Sequence, residues 1–130
     1  QAGKTTAAIF HGTIPLLSPQ QDPASYQSAL ARGEKPAAND WLYKGYKMTI
    51  FSDPEEQVFE ASLKDQRLLF YPANAMAMAG GDMGYAKAWQ PNVVVDRELI
   101  TGQNPFSDKV LAKVLLEKLA GQAKPSDQGI

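Results

Sequence analysis

The run Thr5-Thr6-Ala7-Ala8-Ile9-Phe10 constrains the fold more than any other stretch of the chain, because it is β-branched and apolar without polar alternation. A strand with one wet face alternates apolar and polar residues, whereas a strand covered on both faces reads as an unbroken apolar run. The run is therefore expected to be a strand buried on both faces. His11-Gly12-Thr13 then breaks the run.

The remaining segments read as further strands, helices and loops. Ile14-Pro15-Leu16-Leu17 can start a helix, Ser18 to Pro23 has loop composition, and Ala24 to Arg32 reads as a short helix ended by Gly33. Positions 34–40 read as a second loop. Tyr46 to Phe51 alternates between Gly45 and Ser52-Asp53-Pro54, the pattern of a strand. A helix follows at once: Asp53 is a natural N-cap, Pro54 suits the first helical position, and Glu56 completes a capping box, with the helix running to about Leu63. Leu68 to Ala79 reads as helical up to Gly80-Gly81. Val93-Val94-Val95 and Leu99-Ile100-Thr101 flank Asp96-Arg97-Glu98 as a hairpin. Val110, Leu111, Val114, Leu115 and Leu119 recur at helical spacing from Ser107 to Ala120, with Gly121 expected to stop that helix and 122–130 to form a flexible tail.

Composition excludes several classes of function. Thirteen basic and fourteen acidic residues leave a net charge of −1, without a basic run, so neither nucleic acid nor an anionic membrane is an expected partner. No apolar stretch approaches the roughly 20 residues that span a bilayer, and no basic-then-apolar secretion signal opens the chain. A soluble, cytoplasmic protein is the expectation. With no cysteine and one histidine, thiolate or multi-histidine metal sites, disulfides and a cysteine nucleophile are all ruled out within the chain, and no cofactor is called for. Gly3-Lys4-Thr5-Thr6 resembles the end of a phosphate-binding loop but lacks the upstream glycine and strand that would make it one. Met76, Met78, Met83 and Trp89 read as packing residues.

Three segments carry a family resemblance. Gly3-Lys4-Thr5-Thr6-Ala7-Ala8-Ile9-Phe10-His11-Gly12 resembles the nucleophile-elbow strand of the ThiJ/PfpI family, in the DJ-one superfamily with class I glutamine-amidotransferase-like topology, which typically reads Gly-Lys-x-x-Ala-Ala-Ile-Cys-His-Gly. Residues Tyr46 to Glu56 resemble its next strand and helix start. Trp89 to Ser107 is similar to its C-terminal hairpin and contains Leu99-Ile100-Thr101-Gly102-Gln103-Asn104-Pro105, the most specific of the three.

The resemblance implies a flavodoxin-like three-layer α/β sandwich, of which residues 1–121 are the C-terminal two-thirds and whose N-terminal strands are missing here. It implies that His11 is the family histidine, that Asp53 is the acid orienting it, and that Phe10, beside Gly12, stands at the cysteine's place in the elbow. A phenyl ring is no nucleophile. The implied function is a non-catalytic binding, chaperone-like or oligomerisation homologue. The alternative is a residual glyoxalase-, deglycase- or amidase-like enzyme with His11 as general base, acting on a small carbonyl compound. The implied partners are a chain or segment supplying the N-terminal half of the fold and a second copy of the completed domain.

Overall fold

The computed structural model describes residues 3–20, 22–36, 40–64 and 66–128, with backbone only for 122–128. Part of the loop expected at 34–40 and the last two residues of the tail lie outside the described residues. The chain is a mixed α/β assembly of strands and helices around a small mixed sheet.

Strand β1, Thr6–Ile9, pairs in parallel with β5, Leu99–Gly102, and β5 pairs antiparallel with β4, Val93–Asp96, giving the order β1-β5-β4. The hairpin forms as its sequence indicates, with strands one residue longer and Arg97 at φ 54° in the turn. β5 is the central strand, and all four of its residues are buried. β1, by contrast, is an outer strand with Ala7 exposed and its other residues half-buried. Its unbroken apolar pattern therefore is not matched by two-sided burial within this chain.

The segment at 46–51 is the clearest departure from the expected strand pattern. Only β2, Lys47–Met48, is a strand, paired in parallel with an unanticipated β3, Asp82–Met83. On its other side the segment runs beside the main sheet and bonds to side chains there: Lys47 N–H donates to Asp96 Oδ2 at 2.7 Å, and Thr49 N–H to Thr101 Oγ1 at 2.9 Å. The Thr101 hydroxyl thereby satisfies the buried Thr49 amide without a ladder bond.

Helix boundaries follow local chemistry. A 3-10 helix, Phe10–Leu17, runs through His11-Gly12-Thr13, so the sequence break is a change of direction and not a loop. α1 spans Pro23–Ala31, capped by Asp22, whose side chain accepts from Ser25 N–H, and Gly33 follows at φ 72°. α2 spans Asp53–Ala61 and starts one residue before the expected position. Ser52 is the cap, Asp53 the first helical residue and Pro54 the second, so Glu55 and not Glu56 closes the capping box. α3 spans Pro72–Ala79 and not 68–79, because the residue before a proline disfavours helical backbone. Gly80 ends it at φ 112°.

A second 3-10 turn, Pro105–Ser107, leads into α4, Asp108–Gln128. α4 passes through Gly121, which is not among the positive-φ glycines, and continues where a stop and a flexible tail are expected. One interior glycine costs about 1 kcal/mol, less than is needed to end a helix already propagating.

The core gathers Leu17, Tyr26, Leu30, Trp41, Met48, Ile50, Met76 and Leu99 from both ends of the chain, with Met83 packed against it. Met76 and Met83 therefore pack as expected, while Met78 is exposed. None of the described helices is long and apolar enough to cross a membrane.

Candidate functional site

The site forms where β1 turns into the first 3-10 helix. Phe10, immediately after the strand, holds φ 56°, a left-handed conformation that costs a non-glycine residue roughly 1–2 kcal/mol. Such strain persists only where the surroundings over-determine it. Here rings do so: Phe10 stacks on His11 with centroids 4.0 Å apart and meets Phe51 edge-on at 4.2 Å. His11 in turn meets Phe51 and Phe59, both edge-on at 5.4 Å, and Phe51 continues to Trp89. Gly12 lies in open space, so no close approach demands a glycine there.

His11 Nε2 lies 2.5 Å from Glu56 Oε1. The acid that orients the histidine is thus Glu56, and the expected pairing with Asp53 is not formed. The one-residue shift of the α2 cap explains the exchange. With Asp53 at the first helical position, its side chain is exposed and lines a separate depression of about 480 Å³ with Asn74, Tyr85 and Lys87. There burial, and secondarily Asp53, pushes the Tyr85 hydroxyl up to about 12. Glu56, three residues on, faces inward and is fully buried, whereas the His11 side chain stays 28% exposed.

Burial pushes the Glu56 carboxyl above the usual range, opposed by its contact with His11 and reinforced by Asp53 and Glu55. Its Oε2 is buried with no hydrogen-bond partner among the described residues, as is Thr13 Oγ1 two residues beyond His11. An ionised Glu56 accepts from Nε2–H and leaves Nδ1 with the free lone pair, the arrangement of a histidine base.

Beside this dyad lies a residue that the sequence reading missed. Glu55 is fully buried and accepts five hydrogen bonds. Its Oε1 receives Ser52 N–H at 3.0 Å, Ser52 Oγ–H at 2.7 Å and Gln103 Nε2–H at 2.9 Å. Its Oε2 receives Trp89 N–H and Asn104 Nδ2–H, each at 2.8 Å. Burial is the largest single influence and opposes ionisation, but the bonds from Gln103, Ser52 and Trp89 together outweigh it and hold the carboxyl below the usual glutamate range.

The Gln103-Asn104 pair is accordingly a structural lock. It ties the end of β5 to the start of α2 and to the 86–90 loop through Ala86 and Gln90. The signal for both acids was Ser52-x-x-Glu55: once that box claims Glu55, Glu56 is left over on the inward face. Among the described residues no group of three or more acidic or histidine side chains is placed to hold a metal ion.

No family model and no curated protein matches the chain. Solved structures do. The X-ray structure of Francisella tularensis Rapid Encystment Protein 24 kDa superposes with a TM-score of 0.67 at 23% identity, over 90% of this chain and 44% of that one. The crystallographic structure of a protein designated APC35852 gives 0.66 at 24% identity, over 92% of this chain and 46% of that one. At these identities the likeness is one of fold. The chain spans less than half the length of either neighbour.

Proposed function

We propose that this chain is part of a ThiJ/PfpI-type, flavodoxin-like sandwich domain that has lost its thiol nucleophile and serves as a cytoplasmic binding or oligomerisation module. The observation that carries the reading is Phe10. It keeps the left-handed backbone of a strand-to-helix elbow, at φ 56°, while its ring covers one face of His11 at 4.0 Å. A strained elbow that presents a phenyl ring retains the geometry of a nucleophile site without a group able to attack. The ring is held by packing, the role expected of an aromatic among aromatics.

The 2.5 Å contact of His11 with Glu56 favours a second reading, in which His11 acts as general base on water or on a small carbonyl compound. Methylglyoxal conversion separates the two. The binding-module reading expects no turnover by the protein and at most partial turnover by Phe10→Cys. A thiol replacing a phenyl ring leaves a void, and a displacement near 1 Å lowers a rate roughly a hundredfold. Robust turnover by the unmodified protein, abolished by His11→Ala and by Glu56→Gln, overturns it in favour of the histidine base.

A further inference from the structure

The depression beside the start of α2 brings together four polar side chains that the protein itself does not use. Asp53, Asn74, Tyr85 and Lys87 line it, and among the described residues none of the four side chains makes a hydrogen bond or an ion pair. Its volume of about 480 Å³ lies within the roughly 300–1,000 Å³ of small-molecule sites. The surrounding backbone is held in place. The capping box of Ser52 and Glu55 sets the start of α2, and Gln103 anchors Ala86, accepting its N–H at 2.9 Å and donating to its carbonyl at 3.3 Å. α3, which supplies Asn74, begins without a side-chain cap, so its positive N-terminal end borders the space as well. Tyr85 is 45% exposed, yet burial first and Asp53 second push its hydroxyl up to about 12. The phenol therefore stays a donor near neutral pH, and the Asp53 carboxylate lies close enough to act on it.

We propose that this depression binds a free, zwitterionic α-amino acid with an aliphatic side chain, Asp53 taking the ammonium group and Lys87, with the start of α3, the carboxylate. The charges choose that ligand. One carboxylate and one ammonium face the same space without pairing, so a ligand with a single charge serves only one of them, whereas a zwitterion serves both. A single lysine with an acid beside it is a poor phosphate site, which wants several cationic donors. Tyr85 and Asn74 add neutral donors and an acceptor that fix orientation. Between the polar groups the lining is Pro54, Ala73, Ala86 and Ala88, short and apolar, which suits an aliphatic side chain. Because the capping box and Gln103 hold the surrounding backbone beforehand, little ordering is left for the ligand to impose. The site uses neither Phe10 nor His11 and stands whether or not the elbow is catalytic.

The test titrates isotopically labelled chain with L-leucine and with its two singly charged analogues, 3-methylbutylamine, which lacks the carboxylate, and 4-methylpentanoate, which lacks the ammonium group. The expected result is a saturable shift of the Asp53, Asn74 and Lys87 amides with leucine, and affinities at least about tenfold weaker for either analogue. Asp53→Asn should weaken leucine at least about tenfold and leave 4-methylpentanoate no weaker, while Lys87→Gln should weaken leucine similarly and leave 3-methylbutylamine no weaker. Both side chains are exposed, so thermal midpoints near the parent's show that the variants remain folded. Absence of a saturable shift up to on the order of 10 mM leucine overturns the proposal. So does an analogue that binds within about tenfold of leucine, since it marks a simple cation or anion site, and so does a folded Asp53→Asn or Lys87→Gln that binds leucine as tightly as the parent.

Discussion

Replacing Glu55 by glutamine changes one atom at a buried carboxylate that accepts five hydrogen bonds, and the loss is readable from those bonds. The amide has one oxygen, so its NH2 must face one of the two donor sets. Facing the Oε2 set, it meets Trp89 N–H and Asn104 Nδ2–H, and both bonds are lost. Facing the Oε1 set, it meets Ser52 N–H, Ser52 Oγ and Gln103 Nε2, of which only the hydroxyl can turn to accept. Either way at least two buried donors to a charged acceptor lose their partner. At roughly 1.5–3 kcal/mol for each bond to a charged group, the expected loss is about 3–6 kcal/mol at neutral pH. For a chain of this size that lowers Tm by roughly 9–30 °C, at about 3–5 °C per kcal/mol. The pH dependence supplies a second readout. Because the folded carboxyl titrates below its ordinary value of 4.5, its stabilisation is complete above that value and is lost as pH falls through the folded one. Urea unfolding of parent and Glu55→Gln across acid to neutral pH should show curves that converge on acidification. A loss under about 1 kcal/mol at neutral pH, or a gap that does not narrow on acidification, would refute the reasoning.

Glu56→Gln should behave oppositely: its carboxyl is raised, so its ionisation opposes folding as pH climbs from 4.5 through the folded value, and the variant should gain on the parent at neutral pH but not in acid. Urea titrations in which the stability of Glu56→Gln relative to the parent does not rise between acid and neutral pH would contradict this. At position 10, φ 56° suits glycine better than alanine, so Phe10→Gly should be more stable than Phe10→Ala by about 1 kcal/mol even though both lose the ring. Equal melting temperatures for the pair would remove the evidence for strain. Gly102→Ala should cost about 1–3 kcal/mol, since its Cβ would lie 2.9 Å from Ile9 Cγ1 and 3.4 Å from Ser107 Cβ. A thermal midpoint unchanged from the parent would show that β1 and the α4 entry yield freely there.

Much of the local structure is written in the residues themselves. The hairpin at 93–102, the short helix ended by Gly33 and the turn of the chain after Ile9 follow from β-branched runs, breakers and caps a few residues apart. Local chemistry also misled where two caps competed: Ser52 and Asp53 are both good N-cap residues, and only the buried bonds that Glu55 makes to Gln103, Asn104 and Trp89 decide between them. That choice rotates the helix by one residue and selects Glu56 over Asp53 as the partner of His11. Likewise 46–51 has strand alternation, yet its neighbours offered Asp96 and Thr101 side chains where a ladder was expected. The sequence by itself determined the β4-β5 hairpin, the helix ended by Gly33 and the change of direction after Ile9, because those preferences arise from neighbours within a turn or two. The tertiary structure alone decided which acid meets the histidine and that β1 pairs with β5, because both depend on atoms brought together from positions more than forty residues apart, as in the His11–Glu56 contact at a separation of 45.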